Sequence, residues 1–180
     1  MTESTRNLRL YLREHTAADH AETDAAFGSL DLGSRAGYVR FLRAHEAALS
    51  ALELARGALS WPQELPAPID AAPLVRKDLA ALDTQPSAAL APVRIDDPVG
   101  LTYVLAGSRF GNKLIRKSLE RAEDSAVRAA SSYVGSEDLD AYGRAFFSQL
   151  ARFDGGDRRD AALQSAHTAF RTFQEAFNRP

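Results

Sequence analysis

Ser34-Arg-Ala-Gly-Tyr38-Val-Arg-Phe41-Leu42-Arg-Ala-His45-Glu-Ala-Ala-Leu49-Ser-Ala-Leu52 decides the fold class. Its large apolar residues recur three and four apart, which places them on one face of a helix, and Ser34 stands where a helix N-cap belongs. The same periodicity extends outward in both directions. Thr5 to Glu14 reads as a short leading helix, and Thr16-Ala-Ala-Asp19 reads as a capping box opening a second one toward Phe27, with a turn from Gly28 to Gly33. Gly57 to Pro68 is a loop holding Trp61, Asp70 to Leu82 a shorter amphipathic helix, and residues 83–95 a second loop. Asp97-Pro98 is a strong start signal for a helix running from Val99 toward Arg121. Ser136 caps another that carries Leu139, Tyr142, Phe146, Leu150 and Phe153, stopped by Asp154-Gly-Gly-Asp157. The last carries Leu163, Ala166, Phe170, Phe173 and Phe177. No strand alternation and no repeat period is present, so the chain is expected to be all-α, one helical bundle over residues 1–180.

Composition narrows the function classes. A chain of 180 residues, 45% hydrophobic, is long enough for one sizeable core and too apolar for a disordered segment. A formal net charge of −2 gives no sign of a nucleic-acid partner. The absence of cysteine excludes disulfides, thiolate metal sites, iron–sulfur clusters and a cysteine nucleophile. A polar N-terminal stretch and the lack of a long apolar run lead us to expect a soluble, cytoplasmic protein without membrane contact.

Any metal must then use the four histidines or carboxylates. The paired Glu-x-x-His pattern of di-iron bundles is missing, since Leu12, Ala17, Leu42 and Gln164 stand three residues before His15, His20, His45 and His167. A single-histidine site such as an axial heme ligand remains allowed. His20 is followed one helical turn later by Asp24, the spacing at which a carboxylate fixes the tautomer of a ligating imidazole. The same spacing also suits a plain surface pair. His45 lies on an apolar stripe and reads as a packed core residue; His15 does not share a face with His20, and His167 borders the aromatic stripe of the last helix.

In Tyr103-Val-Leu-Ala-Gly107-Ser108-Arg109-Phe-Gly111-Asn112, two glycines four apart share one face of the expected helix. Each costs about 1 kcal/mol relative to alanine, so something must approach that backbone closely, either another helix or a flat ligand.

Taken together, these segments resemble the heme oxygenase family. Leu12-Arg-Glu-His-Thr-Ala-Ala-Asp-His20-Ala-Glu-Thr-Asp24 is similar to its proximal segment, and Tyr103 to Gly111 to its glycine-bearing distal helix, particularly in the bacterial, phytochrome-associated branch. Ala166-His-Thr-Ala-Phe170-Arg-Thr-Phe173-Gln-Glu-Ala-Phe177 matches the closing aromatic helix, and the three matches come in the family's order. The resemblance implies that His20 ligates heme iron with Asp24 behind it, and that Gly107 and Gly111 line the distal face. Arg13 and Arg171 would pair with the heme propionates, with Tyr103 nearby. The chain departs from the pattern at Asn112, where many members carry a second glycine, and at Ser108, where some carry an aspartate. Ser108, Arg109 or Asn112 are then the candidates for distal polar groups.

The implied activity is oxygen-dependent opening of heme, which is both substrate and cofactor, to biliverdin, carbon monoxide and iron. Electrons would come from a separate reductase or ferredoxin, because no flavin or dinucleotide motif is present. A bilin-binding photoreceptor is the implied functional link, and a non-catalytic heme carrier of the same fold is the alternative.

Overall fold

Helix starts in this chain are set by side chains that accept the free backbone amides of a first turn. In the computed structural model, which describes residues 7–179, Ser34 Oγ accepts from the Gly37 amide at 3.1 Å and opens α3. Asp97 Oδ1 accepts from Val99 and Gly100 at 2.8 and 3.0 Å, with Pro98 at the first helical position of α5. Ser136 Oγ accepts from Leu139 at 3.3 Å and opens α8. The elements are α1 (Leu8–His15), α2 (Ala17–Gly28), α3 (Arg35–Gly57), α4 (Ala72–Ala81), α5 (Pro98–Gly107), α6 (Asn112–Glu120), α7 (Ser125–Ala129), α8 (Glu137–Leu150) and α9 (Arg159–Asn178). The described residues are all-helical and contain no strand, as the periodicity requires.

Three local expectations are corrected, and one short helix is added. The leading helix begins at Leu8, with Asn7 as its cap (Oδ1 accepts from Leu10 at 3.0 Å); Thr5 lies outside the described residues. Thr16 does not form a capping box. Its hydroxyl donates back to the Leu12 carbonyl at 2.8 Å, the i−4 bond that competes with capping, so it joins α1 to α2 as a buried corner. The helix expected from Val99 to Arg121 is split, because Ser108–Gly111 forms a 3₁₀ turn between α5 and α6. Glycines flank that turn and weaken the α-helical preference, while the buried Arg109 is drawn sideways onto the Tyr133 carbonyl at 2.8 Å and Asp140 at 2.9 Å. The short helix α7, capped by Asp124 Oδ1 on Ala126 at 2.8 Å, has too few residues to show a periodicity.

The stop signal after α8 stands: Gly155 and Gly156 take φ of +73° and +47°, in the left-handed region that favours glycine. Around α3 the apolar faces of α5, α8 and α9 close one core, with Tyr38, Leu42, Leu49, Leu52, Leu101, Phe146 and Leu150 essentially solvent-free. At the tightest crossing, Gly100 of α5 meets α9: a Cβ there would lie 1.8 Å from the Ala162 carbonyl oxygen. No helix among the described residues is long and apolar enough to cross a membrane.

Candidate functional site

Between α2 and the α5–α6 segment the bundle leaves a cavity of about 610 Å³, within the range of small-molecule and cofactor sites. Its walls are aromatic: Phe27 from α2, Phe41 from α3, Phe147 from α8, and Phe170 and Phe173 from α9. Arg9 and Arg13 of α1 stand with it, and Tyr103, Gly107, Ser108, Phe110, Gly111 and Asn112 form the side facing α2.

His20 lies at the edge of this space, its side chain 57% exposed, with Phe170 edge-on at 6.0 Å between ring centroids. Its Nδ1 is 3.0 Å from Asp24 Oδ2, as the four-residue spacing predicts. That contact occupies one ring nitrogen and leaves Nε2 without a partner among the described residues. Asp24 is itself 70% exposed, so the pair orients the imidazole more than it stabilises the fold.

The two glycines are settled by what a side chain at each would touch. A Cβ at Gly107 would meet only Phe147 Cζ at 3.8 Å, an ordinary contact, and one at Gly111 would meet nothing within 4 Å. Neither serves helix packing. Both border open cavity, unlike Gly100, which carries no sequence signal beyond its place in the first turn of α5.

Other expected site residues fall differently. Arg13 lines the cavity; Arg171 does not, a correction to its expected place. Phe170 and Phe173 turn inward, and at 100° per residue Arg171 points out, where it donates to Thr168 Oγ1 at 3.1 Å and is exposed. Arg9 takes a position that sequence reasoning missed, its guanidinium 5.1 Å from the Phe147 ring centroid. One turn before Arg13, it shares that residue's face of α1, a signal that was available. Tyr103 lines the cavity with a half-buried ring; burial pushes its phenol up, opposed by Thr16 and by the Arg13 and Arg9 charges.

The candidate distal polar groups are internally engaged. Ser108 Oγ donates to the Leu105 carbonyl at 2.8 Å. Arg109 is spent on Asp140 and the carbonyls around Tyr133, and it does not line the cavity. Asn112 is buried against it, its amide oxygen accepting from Arg109 at 2.6 and 3.1 Å. Asp140 serves both Arg109 and Arg116; burial pushes its carboxyl up, but the hydrogen bonds and charges of the two guanidiniums outweigh that and hold it below the usual carboxylate range.

The remaining histidines divide between anchoring and lining. His167 Nδ1 meets Asp19 Oδ2 at 3.0 Å, bridging α9 to α2. His15 Nδ1 meets the Tyr11 carbonyl at 2.8 Å, outside the cavity. His45, expected to be a packed core residue, is packed, with only 6% exposure, and also lines the cavity floor.

Chemically, the arrangement suits a flat, largely apolar ligand with anionic groups at the arginine-lined mouth and an electrophilic centre facing one imidazole. Among the described residues no three His, Cys, Asp or Glu side chains converge to hold a bare metal ion. Comparison of this chain with protein-family models, with curated proteins and with solved structures gives no match.

Proposed function

We propose that this protein is a heme oxygenase, binding heme as its substrate and opening it to biliverdin, carbon monoxide and iron with electrons from a separate reductase or ferredoxin. The observation that carries the proposal is the pairing of His20, oriented by Asp24, with an opposite wall where Gly107 and Gly111 bound open space. A lone imidazole is a sufficient protein ligand only where a macrocycle supplies the other donors, and the aromatic slot suits such a macrocycle.

In this assignment His20 would hold the iron through Nε2, and Asp24, accepting from Nδ1–H, would fix the tautomer and aim the ring. Arg13 and Arg9 would receive the carboxylates at the mouth, Arg13 as an exposed fork. Phe27, Phe41, Phe147, Phe170 and Phe173 exclude bulk water from the interior of the slot. Gly107 and Gly111 add no side chain at their two points on the facing surface, so a small ligand would have room beside the backbone there. The iron porphyrin, when bound, supplies the oxygen-activating redox chemistry; the protein supplies orientation and exclusion. A bilin-binding photoreceptor is the proposed consumer of the product.

A non-catalytic heme carrier is the second reading, favoured by one observation: Ser108 and Asn112 both spend hydrogen bonds inside the protein. Hemin titration followed by reductant in air separates the two. Bleaching of the Soret band with appearance of a biliverdin spectrum supports the oxygenase, retained heme supports the carrier, and failure to bind hemin stoichiometrically refutes both.

A further inference from the structure

One polar side chain lining the cavity is not used by this mechanism. His45 sits on the floor, and its ring is packed by Phe41 at 3.9 Å, Phe27 at 4.7 Å, Phe173 at 5.3 Å and Tyr133 at 5.7 Å between centroids. Its Nδ1 lies 3.0 Å from the Phe41 carbonyl, which can only accept, so Nδ1 carries the proton and Nε2 is left as an acceptor. No donor among the described residues reaches Nε2. Burial, with a smaller contribution from the Arg109 charge, lowers the imidazole to a pKa of about 4, so the ring stays neutral at ordinary pH. Because His45 lines the cavity, a ligand that brings a donor to that nitrogen is favoured over one that displaces solvent from it without replacing the hydrogen bond.

The cavity is therefore polarised, with cationic arginines at the mouth and a hydrogen-bond acceptor at the closed end. An iron porphyrin offers no donor to that end, because all four of its nitrogens bind the metal. Opening the ring at the meso carbon opposite its two propionates creates two terminal lactam rings there, each with an N–H. With the propionates held at Arg9 and Arg13, those lactams would lie toward His45. Resting on the heme-cleaving proposal above, we propose that His45 is a specificity-determining residue whose Nε2 accepts a lactam N–H, so that the same cavity retains the open-chain tetrapyrrole selectively.

The test uses the full chain and equilibrium titrations with biliverdin, hemin and zinc protoporphyrin. A net hydrogen bond of this kind is worth roughly a five- to tenfold change in affinity. His45→Leu is expected to weaken biliverdin by that factor more than it weakens hemin, the ratio of the two affinities being the readout. An equal ratio in the variant and the parent overturns the proposal. Should His45→Leu fold poorly, ¹⁵N-histidine NMR of the parent protein reads the same bond: the His45 Nε2 resonance is expected to move toward its hydrogen-bonded position with biliverdin and to stay with zinc protoporphyrin. An unmoved resonance with bound biliverdin overturns it. If neither porphyrin binds, the heme-cleaving proposal falls and this one with it; if both bind but biliverdin ignores His45, this one alone falls.

Discussion

Three glycine-to-alanine substitutions, made one at a time, test whether the cavity is a ligand site or a packing defect. Gly107 and Gly111 have φ of −65° and −76° with ψ of −37° and −18°, a right-handed conformation that alanine adopts without strain. A Cβ at Gly107 meets Phe147 at 3.8 Å and one at Gly111 meets nothing within 4 Å, so neither addition costs packing energy. Removing glycine's unfolded-state freedom then stabilises by about 0.4–1 kcal/mol per site. For a chain of this size that is a rise in Tm of about 1–4 °C. Gly100→Ala has the opposite sign: its Cβ would fall 1.8 Å from the Ala162 carbonyl oxygen, a backbone atom, so α5 and α9 must separate. Overpacking of that kind costs about 1–3 kcal/mol or more. Urea and thermal denaturation followed by circular dichroism read all three, and hemin titration reads Gly107→Ala, whose new methyl group enters the cavity and should weaken binding. A loss of more than about 1 kcal/mol for Gly107→Ala or Gly111→Ala would refute the reasoning, because the glycines would then be serving helix contact.

The other expectations concern the site and two partly buried carboxylates. His20→Ala should abolish the ferric heme absorbance signature while changing unfolding free energy by no more than about 0.5 kcal/mol, since the side chain is largely exposed. Arg13→Ala should weaken hemin about two- to fivefold, the range of an exposed ion pair, while Arg171→Ala leaves it unchanged within twofold in the same titration. Asp140→Asn should cost about 3–5 kcal/mol by leaving the buried Arg109 uncompensated. Because the native Asp140 carboxyl is held low, its contribution is present above the unfolded pKa and is lost as pH falls through the folded one, which acid titration of stability in parent and variant will show. Glu53 behaves oppositely: burial raises it from 4.5 to about 7 although it accepts from the Ala71 and Ala72 amides. Its native form binds a proton more tightly than the unfolded chain, so stability should fall as pH rises between those values, and Glu53→Gln should flatten that slope in urea melts.

Much of the fold was legible because strong local signals agreed with tertiary demands. Ser34, Asp97 and Ser136 each cap the helix they announce, and the apolar stripe from Tyr38 to Leu52 is the one that is buried. Failures came where one residue had two competing options. Thr16 can cap forward or bond backward to Leu12, and burial of its hydroxyl at the α1–α2 corner favours the latter. The break at Ser108 depends on Arg109 reaching Tyr133 and Asp140, partners more than twenty residues away that no local window contains. At the site, the His20–Asp24 spacing and the shared face of the two glycines could be read directly, while what those glycines face could not. His45 could not be read fully, because an apolar stripe says only that a histidine is inside, and whether one of its nitrogens meets open space depends on α2, α9 and the segment carrying Tyr133.

The helix that carries His20 has no buried residue of its own. Its attachment to the rest of the molecule runs largely through α9, by the Asp19–His167 contact at 3.0 Å, the Thr23–Gln174 contact at 3.3 Å and the ring of Phe27. A twelve-residue segment with so little apolar anchorage is marginal in isolation and opens far more readily than the global unfolding reaction. Its amide hydrogens should therefore exchange with solvent well ahead of those in α3. Filling the slot beside it would give the segment an apolar surface to rest on, so occupancy should slow that exchange and raise the melting temperature together, coupling cargo uptake to the ordering of one wall.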